Sequence, residues 1–416
     1  MKKIILTIGI CFIIAACSNQ EMVEDSMDDN TENTCFKKRS FEEALAIAEH
    51  SMTLLESPNS TRASSSRKIS LKDTKAFKYD MKTRSGQTVN DTLIYVFNFE
   101  DSEGFALVSA SKAADGLLAV TESGYCNPDS ISGIAGFDQF VDLAKQYVLN
   151  SPKNGLLPID TCVSIREEIE YTYSYVGPYV TVRWGQTNPE GECCPNGVAG
   201  CVNTASAQIM TYFEYPDSIQ LTYDGAPVNY QLLNWTQMKN HNTGHVIKPC
   251  NNASAHQAIA RLHRQLGKIN HSNYDSGATG TNGMFIRYAL NGLGYNVSGI
   301  CEYESSIVRS LLNSHHVLLM YNNSGANGHA WVFDGYLTEN AHSYLMQQIG
   351  DGPWVIVEDW GVTTTYYNHF NWGWYGTNNG YFNQNVYNPV YVKFPDTNSH
   401  WINQNFSNIE YVSVSL

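Results

Sequence analysis

The stretch that most constrains this chain is one in which a cysteine follows a glycine and small residues alternate with apolar ones. Val202, Ala205 and Ile209 continue from Cys201 at helical spacing, which predicts a helix that begins near Cys201. At a helix start, unpaired backbone N–H groups and the positive end of the helix dipole lower the pKa of a thiol. The alternative is a buried, unreactive cysteine, which is a common environment for this residue type.

The N-terminus predicts export. Lys2 and Lys3 precede an apolar run over residues 4–16, which is short for a membrane span but typical of a signal peptide. The run ends in Ile14-Ala15-Ala16-Cys17, which resembles a bacterial lipobox and predicts lipidation of Cys17. The alternative is an ordinary signal peptide that is cleaved nearby. We assign residues 1–16 to the signal and residues 17–39 to a lipidated tether.

Composition limits the partners and the cofactors. A chain of 416 residues exceeds what one core usually serves, and a net charge of −14 argues against nucleic acid or an anionic membrane surface as the main partner. We therefore expect no nucleic acid partner, and membrane contact through the N-terminal lipid alone.

The ten cysteines predict no simple disulfide framework and no zinc site. The adjacent pair Cys193 and Cys194 has no second closely spaced Cys or His set to complete a tetrahedral site. His241 and His245 suit one face of a helix, but the polar residues between them indicate a loop. We expect neither a metal nor an organic cofactor.

Two units of different character follow the tether. Residues 40–165 begin with a helix whose start resembles a capping box at Ser40 and Glu43. Strand-like runs at 92–99 and 105–109, with a turn between them, then predict a hairpin, and 117–121 predicts a third strand. No catalytic residue types gather in this unit. Residues 170–416 place helices before a strand-rich half, which indicates an α+β fold with segregated helices and strands.

A nucleophilic cysteine needs a base nearby and a group that orients that base. His329 begins a predicted strand 128 residues after Cys201, close to the spacing described for papain-type enzymes. Asn371 lies farther on in Asn371-Trp372-Gly373-Trp374, where its amide could accept from the imidazole while Trp372 and Trp374 screen the bond from water. Taken alone, His329 also suits a solvated loop, and the tryptophans suit an aromatic core strand.

Three separate motifs in the right order resemble the streptopain family of papain-like cysteine peptidases. They are Gly200-Cys201-Val202 with Gln208-Ile209-Met210, then Gly328-His329-Ala330 with Asp334-Gly335, and then Asn371-Trp372-Gly373-Trp374 with Gly380-Tyr381-Phe382. Residues 90–123 are similar to that family's propeptide, which keeps the zymogen inactive. The resemblance implies a papain-like catalytic domain of a helical and an antiparallel β part over 170–416, preceded by an inhibitory α+β propeptide over 40–165.

The same resemblance implies the activity and the role of each site residue. The chain is expected to be a cysteine endopeptidase zymogen that acts on proteins or peptides, with its own propeptide as inhibitor. Cys201 matches the nucleophile, His329 the general base and acid, Gln186 an oxyanion donor and Asn371 the residue that orients His329, while Trp372 and Trp374 cover the site. Gly277, Ala278 and Gly328 match a wall that binds substrate through its backbone.

Other readings of the same residues stay open at this point. A Cys, His and Asn set can also catalyse acyl transfer to amines, and an inactive surface-binding relative could keep the fold. Ala278 could be a plain turn residue. The sequence departs from the family after Gln186, and an extended segment over about 338–368 is expected to lengthen a loop.

Overall fold

The computed structural model describes residues 4–6, 38–55, 67–82, 88–151, 164–241, 253–275, 277–322, 328–348, 353–387 and 409–416. The predicted lipidation site Cys17, the rest of the tether up to residue 37, and His245 lie outside these ranges. No helix within them is both long and apolar enough to cross a bilayer.

The N-terminal unit is a four-stranded sheet with a helix before it and a helix after it. The capping box is confirmed, since Ser40 Oγ accepts from the backbone of Glu43 and the Glu43 carboxylate accepts from the backbone of Ser40. The predicted hairpin and third strand are also present. The elements up to residue 176 are β1 (Ile4–Leu6), α1 (Phe41–Met52), β2 (Lys75–Lys82), β3 (Thr88–Asn98), β4 (Phe105–Ser109), β5 (Leu117–Thr121), α2 (Ala135–Asn150) and β6 (Ser164–Val176). The four-stranded sheet consists of β2 to β5, whereas β1 pairs with β6.

The C-terminal unit places its helices mainly before a strand-rich half, which confirms the predicted α+β class. Its elements are α3 (Cys201–Phe213), β7 (Ser218–Gln220), β8 (Tyr230–Leu232), α4 (Trp235–Lys239), α5 (Ala253–Ile269), α6 (Tyr288–Gly292), β9 (Asn296–Val297), β10 (Cys301–Glu302), α7 (Ser305–Asn313), β11 (Val317–Asn322), β12 (His329–Gln348), β13 (Val355–Asn371), β14 (Gly380–Asn383) and β15 (Ile409–Ser415).

One antiparallel sheet runs through both units in the order β10-β15-β11-β12-β13-β14-β5-β4-β3-β2. The junction is the pairing of β14 with β5, where Gly380 lies opposite Thr121 and Phe382 opposite Ala119. The N-terminal unit is therefore joined to the C-terminal unit by backbone hydrogen bonds as well as by the chain itself.

The two units also share a core. Helix α2 contributes Phe137 and Phe140, whose rings lie 6.4 and 4.9 Å from that of Phe382 on β14. Phe382 in turn contacts the ring of Trp372 at 5.3 Å. This packing fixes α2 beside the predicted site residue Trp372.

The segment over 338–368, expected to be a longer loop, is instead mostly strand. It forms the distal parts of β12 and β13, which pair from Val332 opposite Asn371 to Gln347 opposite Val355. Its many β-branched and aromatic residues favour an extended backbone. Strand β6 pairs along the other edge of β12, so the expected boundary between the units, at residues 165–170, lies within a strand.

Candidate active site

Cys201 is the first residue of α3, as predicted. Gly200 precedes it with φ 91°, and a Cβ at Gly200 would lie 2.8 Å from Cγ2 of Thr279. A glycine is therefore required here both by its backbone conformation and by the close approach of Thr279. The side chain of Cys201 is half-buried at the junction of α3 with the start of β12.

The thiol does not have the lowered pKa that the helix start predicts. Burial raises the pKa of Cys201, while backbone groups of Ala330, Val202 and Cys201 itself act in the opposite direction by favouring the thiolate. The contribution of the helix start is thus present, but burial of the sulfur outweighs it. In this state Cys201 is a thiol at neutral pH.

His329 is the first residue of β12, so it directly precedes Ala330, whose backbone contacts the thiol. Its Nε2 lies 3.0 Å from the carbonyl oxygen of Trp372 and donates to it, which leaves Nδ1 as the nitrogen able to accept a proton. Burial lowers the pKa of His329 to about 4, although the bond to Trp372 acts against this. The imidazole is therefore neutral at pH 7.

The N-terminal turn of α2 covers the imidazole and the adjoining indole. A Cβ at Gly136 would lie 2.5 Å from Cζ3 of Trp372 and 3.2 Å from Cδ2 of His329, so the backbone of the N-terminal unit rests directly on both rings. Beside it, Gln139 on α2 accepts from Asn322, whose side-chain oxygen also accepts from the backbone N–H of His329 at 3.1 Å. The N-terminal unit thus blocks access to His329.

Asn371 is buried at the end of β13, with its side chain engaged away from the imidazole. Its Nδ2 donates to the carbonyl of Val182 at 2.8 Å, and its Oδ1 accepts from Gln208 and from the backbone of Gly373, both at 3.2 Å. In this covered state the carbonyl of Trp372, rather than Asn371, is the acceptor for His329. The orienting role of Asn371 in an uncovered site stays a prediction.

Two polar residues of α3, Thr204 and Gln208, hold the segment that carries Gln186. Thr204 donates to the carbonyl of Gly185 at 2.9 Å, and Gln208 donates to that of Trp184 at 2.9 Å. Gln208 therefore links this segment to Asn371. Neither residue was assigned a role from the sequence. Their spacing of four positions on a largely apolar helix was a signal that both could face the same neighbour.

Gln186 is joined through its backbone to the segment that leads into α3. Its carbonyl accepts from the backbone of Ala199, two residues before Cys201, at 2.7 Å, and the residue is buried. This bond holds the segment of Gln186 against the residues that directly precede Cys201. The role of Gln186 as an oxyanion donor stays a prediction.

The predicted wall lies against the same helix start. Gly277 and Ala278 are exposed, and the next residue, Thr279, is buried and donates to the carbonyl of Val198 at 2.7 Å. Gly328 is exposed just before His329. Trp372 is fully buried, whereas Trp374 is half-buried.

Cys193 and Cys194 are free thiols in the loop that follows Gln186. No cluster of three or more His, Cys, Asp or Glu side chains with metal-binding geometry occurs in the described part of the chain.

Comparisons with known proteins match both units. A model of the Peptidase C10 family matches residues 182–382, and one of the Spi protease inhibitor matches residues 33–148. The thiol protease/hemagglutinin PrtT of Porphyromonas gingivalis is 24% identical over 337 residues, which cover 72% of this chain and 34% of that protein. Streptopain of Streptococcus pyogenes is 24% identical over 343 residues, which cover 74% of this chain and 78% of streptopain.

The chain therefore spans about a third of the length of PrtT but most of streptopain. Among solved structures, a fragment of prointerpain A from Prevotella intermedia is 20% identical with a TM-score of 0.48, over 81% of this chain and 98% of that fragment.

The buried, neutral state of His329 predicts a loss of stability in acid. Its pKa is about 4 in the folded chain against 6.5 ordinarily, so between these pH values the unfolded chain binds more protons and the folded state is destabilised as the pH falls. Two chains that both carry Cys201→Ala are compared, one with His329 and one with His329→Gln. The free energy of unfolding of the first minus that of the second should decrease by about 3 kcal/mol from pH 7 to pH 4. Urea unfolding over this range measures it, and a constant difference would contradict the assignment.

Proposed function

The chain belongs to the Peptidase C10 family, and we propose that its Cys201 and His329 hydrolyse peptide bonds of proteins once the N-terminal propeptide has left the site. The observation that carries this proposal is the position of Gly136, which lies on His329 and Trp372 at the start of the propeptide helix α2. In this structure His329 and Trp372 lie beneath the start of α2. The two proposed reacting groups are a thiol and a neutral imidazole.

Removal of α2 would admit water and substrate to His329. Since burial lowers the pKa of His329 and raises that of Cys201, uncovering the site moves both towards their ordinary values and favours the thiolate and imidazolium pair. The backbone groups that already stabilise the thiolate at the start of α3 then act without opposition from burial.

The reaction then proceeds by nucleophilic catalysis. The Cys201 thiolate attacks the peptide carbonyl, and the resulting oxyanion accepts hydrogen bonds from Gln186 and from the backbone N–H of Cys201. His329 gives its proton to the leaving amine, whose C–N bond breaks to leave a thioester on Cys201. Water, deprotonated by His329, then hydrolyses the thioester and restores the thiol.

The remaining site residues serve as supports in this mechanism. Asn371 would orient the uncovered imidazole, Trp372 and Trp374 would screen it from water, and Gly277, Ala278 and Gly328 would bind substrate through their backbone atoms. We propose that processing occurs within about residues 150–180, a stretch in which strand β6 begins at residue 164. A cut before β6 would leave that strand paired with β12 in the mature enzyme.

We also propose that the precursor is exported and anchored through a lipid on Cys17, on the basis of the apolar run and lipobox-like residues before it. Full-length protein expressed in a bacterium should incorporate labelled palmitate and partition with membranes, whereas Cys17→Ser should do neither. Equal labelling of the Cys17→Ser variant would exclude the anchor, and Cys35→Ser provides the matched control.

The nucleophile is tested by self-processing. Expressed from residue 21 onward, the parent chain should lose its propeptide and cleave casein, whereas Cys201→Ala should remain full length and lose essentially all activity. Cys301→Ala, which removes another half-buried free thiol, should process like the parent. Maturation of Cys201→Ala at the parental rate would show that the nucleophile lies elsewhere.

Thiol alkylation tests whether the propeptide suppresses the ion pair. At pH 6, iodoacetamide should modify Cys201 about tenfold or more faster in the processed enzyme than in the zymogen, because the thiolate is the reacting species. His329→Ala, processed by added parent enzyme, should lose this acceleration, and Cys201→Ala corrects for other thiols. Equal rates before and after processing would argue against the proposed switch.

A further inference from the structure

A second cluster of charged groups joins the propeptide to the peptidase domain, apart from the Cys201 and His329 pair. Glu122, directly after β5, places its carboxylate between two cations of the peptidase domain. Its Oε2 accepts from Arg183 at 2.7 Å, and its Oε1 lies 3.6 Å from Nε2 of His369. On the other side of the ring, Nδ1 of His369 donates to Oδ1 of Asp334 at 2.7 Å.

The peptidase side of this cluster is held by the peptidase domain itself. Asp334 is fully buried, and its second oxygen accepts from the backbone of Val180 at 2.7 Å. The stem of Arg183 packs on Gly376, where an added Cβ would lie 2.6 Å from Cδ of the arginine. Arg183, His369 and Asp334 are therefore positioned by groups that stay in place when the propeptide is removed.

The charges of Arg183, His369 and Asp334 indicate that this cluster binds an anion. Burial alone would lower the pKa of His369, but Asp334 and then Glu122 raise it, so the ring is a cation at neutral pH. With Arg183 and Asp334, the peptidase domain contributes one net positive charge, which faces the carboxylate of Glu122. Arg67 of the propeptide also favours the ionised form of that carboxylate. A buried charge without a partner is costly, so withdrawal of Glu122 leaves a site that favours another anion.

One hydrogen-bond donor of the cluster, Nε2 of His369, also lacks a full hydrogen bond in the described part of the chain. At 3.6 Å the contact between His369 and Glu122 is an ion pair rather than a full hydrogen bond, and Nε2 of His369 has no hydrogen-bond partner within the described residues. His369 is 3% exposed. A buried N–H and a guanidinium that face the same carboxylate form a built recognition site for that group.

The backbone that carries Glu122 is bound as an added strand. Thr121 pairs with Gly380 on β14, and the N–H of Glu122 donates to the carbonyl of Asn379 at 2.8 Å. When the propeptide leaves, β14 loses its partner on this edge. The edge and the cations would then fit an extended polypeptide that has an acidic residue just beyond the paired segment.

We propose that Arg183 and His369 form a carboxylate-binding site of the peptidase domain, which Glu122 fills in the zymogen and an acidic side chain of an extended polypeptide fills in the processed enzyme. The second half of this inference rests on the proposed removal of the propeptide. The first half concerns the full chain and does not depend on catalysis.

Chemical rescue tests the site in the full chain, in an inert Cys201→Ala background. Glu122→Ala should lower the melting temperature, and acetate should restore part of the loss, whereas chloride at the same ionic strength should not. Adding Arg183→Met should remove the acetate effect. If acetate and chloride act alike on Glu122→Ala, there is no carboxylate site. If Glu122→Ala does not fold, Glu122→Gln, which keeps the shape of the side chain, takes its place. A melting temperature of Glu122→Gln equal to that of the parent would overturn the proposal.

Peptide binding tests the processed enzyme, after alkylation of Cys201 to prevent cleavage. A peptide with the sequence of residues 117–124 and both termini blocked should bind about tenfold more tightly than the same peptide with Gln at the position of Glu122. Arg183→Met should abolish the difference, and equal affinities of the two peptides would overturn the proposal.

A third peptide identifies the source of the carboxylate. It carries Gln at the position of Glu122 but ends there in a free carboxylate. Weak binding of this peptide supports recognition of an acidic side chain. If it binds as tightly as the peptide with Glu, the proposal of an acidic side chain is wrong and the ligand is a chain terminus. Failure of the chain to process would defeat the proposed function but leave the rescue experiment interpretable.

Discussion

The inhibited arrangement depends on the backbone pairing between β5 of the propeptide and β14 of the peptidase domain. This short ladder makes one sheet of the two units and thereby fixes where everything else in the propeptide lies. Helix α2 follows β5 and packs through Phe137 and Phe140 on Phe382, which places Gly136 over His329. Inhibition is therefore a result of sheet geometry, with a helix start rather than a substrate-like peptide covering the imidazole.

The charge state of Cys201 and His329, the proposed reacting groups, follows from their burial rather than from a missing residue. The helix start favours the thiolate of Cys201, as its position predicts, but covering the sulfur and the imidazole favours the uncharged form of each. A cation and an anion that would stabilise each other in an open cleft are both neutral beneath the propeptide. The same packing that stabilises the zymogen fold therefore opposes the reactive ion pair.

Local patterns in the sequence predicted much of this structure. The start of α3 at Cys201, the start of a strand at His329, the capping box at Ser40 and the hairpin of β3 and β4 all follow from signals within a few residues, and all are present. The predicted α+β class, the streptopain family, the cysteine endopeptidase activity and the inhibitory propeptide are confirmed.

The remaining features depend on contacts between residues far apart in the chain, which no local pattern reveals. One such contact is the approach of Gly136 to Trp372. Another is the pair of hydrogen bonds by which Gln208 joins Trp184 to Asn371. A third is the hydrogen bond of His329 to a backbone carbonyl instead of to Asn371. The pKa of Cys201 was predicted to be lowered but is raised, because burial of the sulfur depends on the assembled site. The continuation of β12 beyond Tyr336 and its long pairing with β13 were not predicted, because strand pairing joins residues far apart in the chain.

The sheet that crosses from propeptide to peptidase domain has a consequence for how activation becomes irreversible. While the chain is intact, β5 and β14 meet at a high effective concentration set by the connecting chain. After a single cut, the same backbone bonds and aromatic contacts hold two separate molecules, and their association depends on the total concentration of protein. Dilution into the surroundings, or digestion of the released piece, then separates the strands, so the cut begins activation and loss of the fragment completes it.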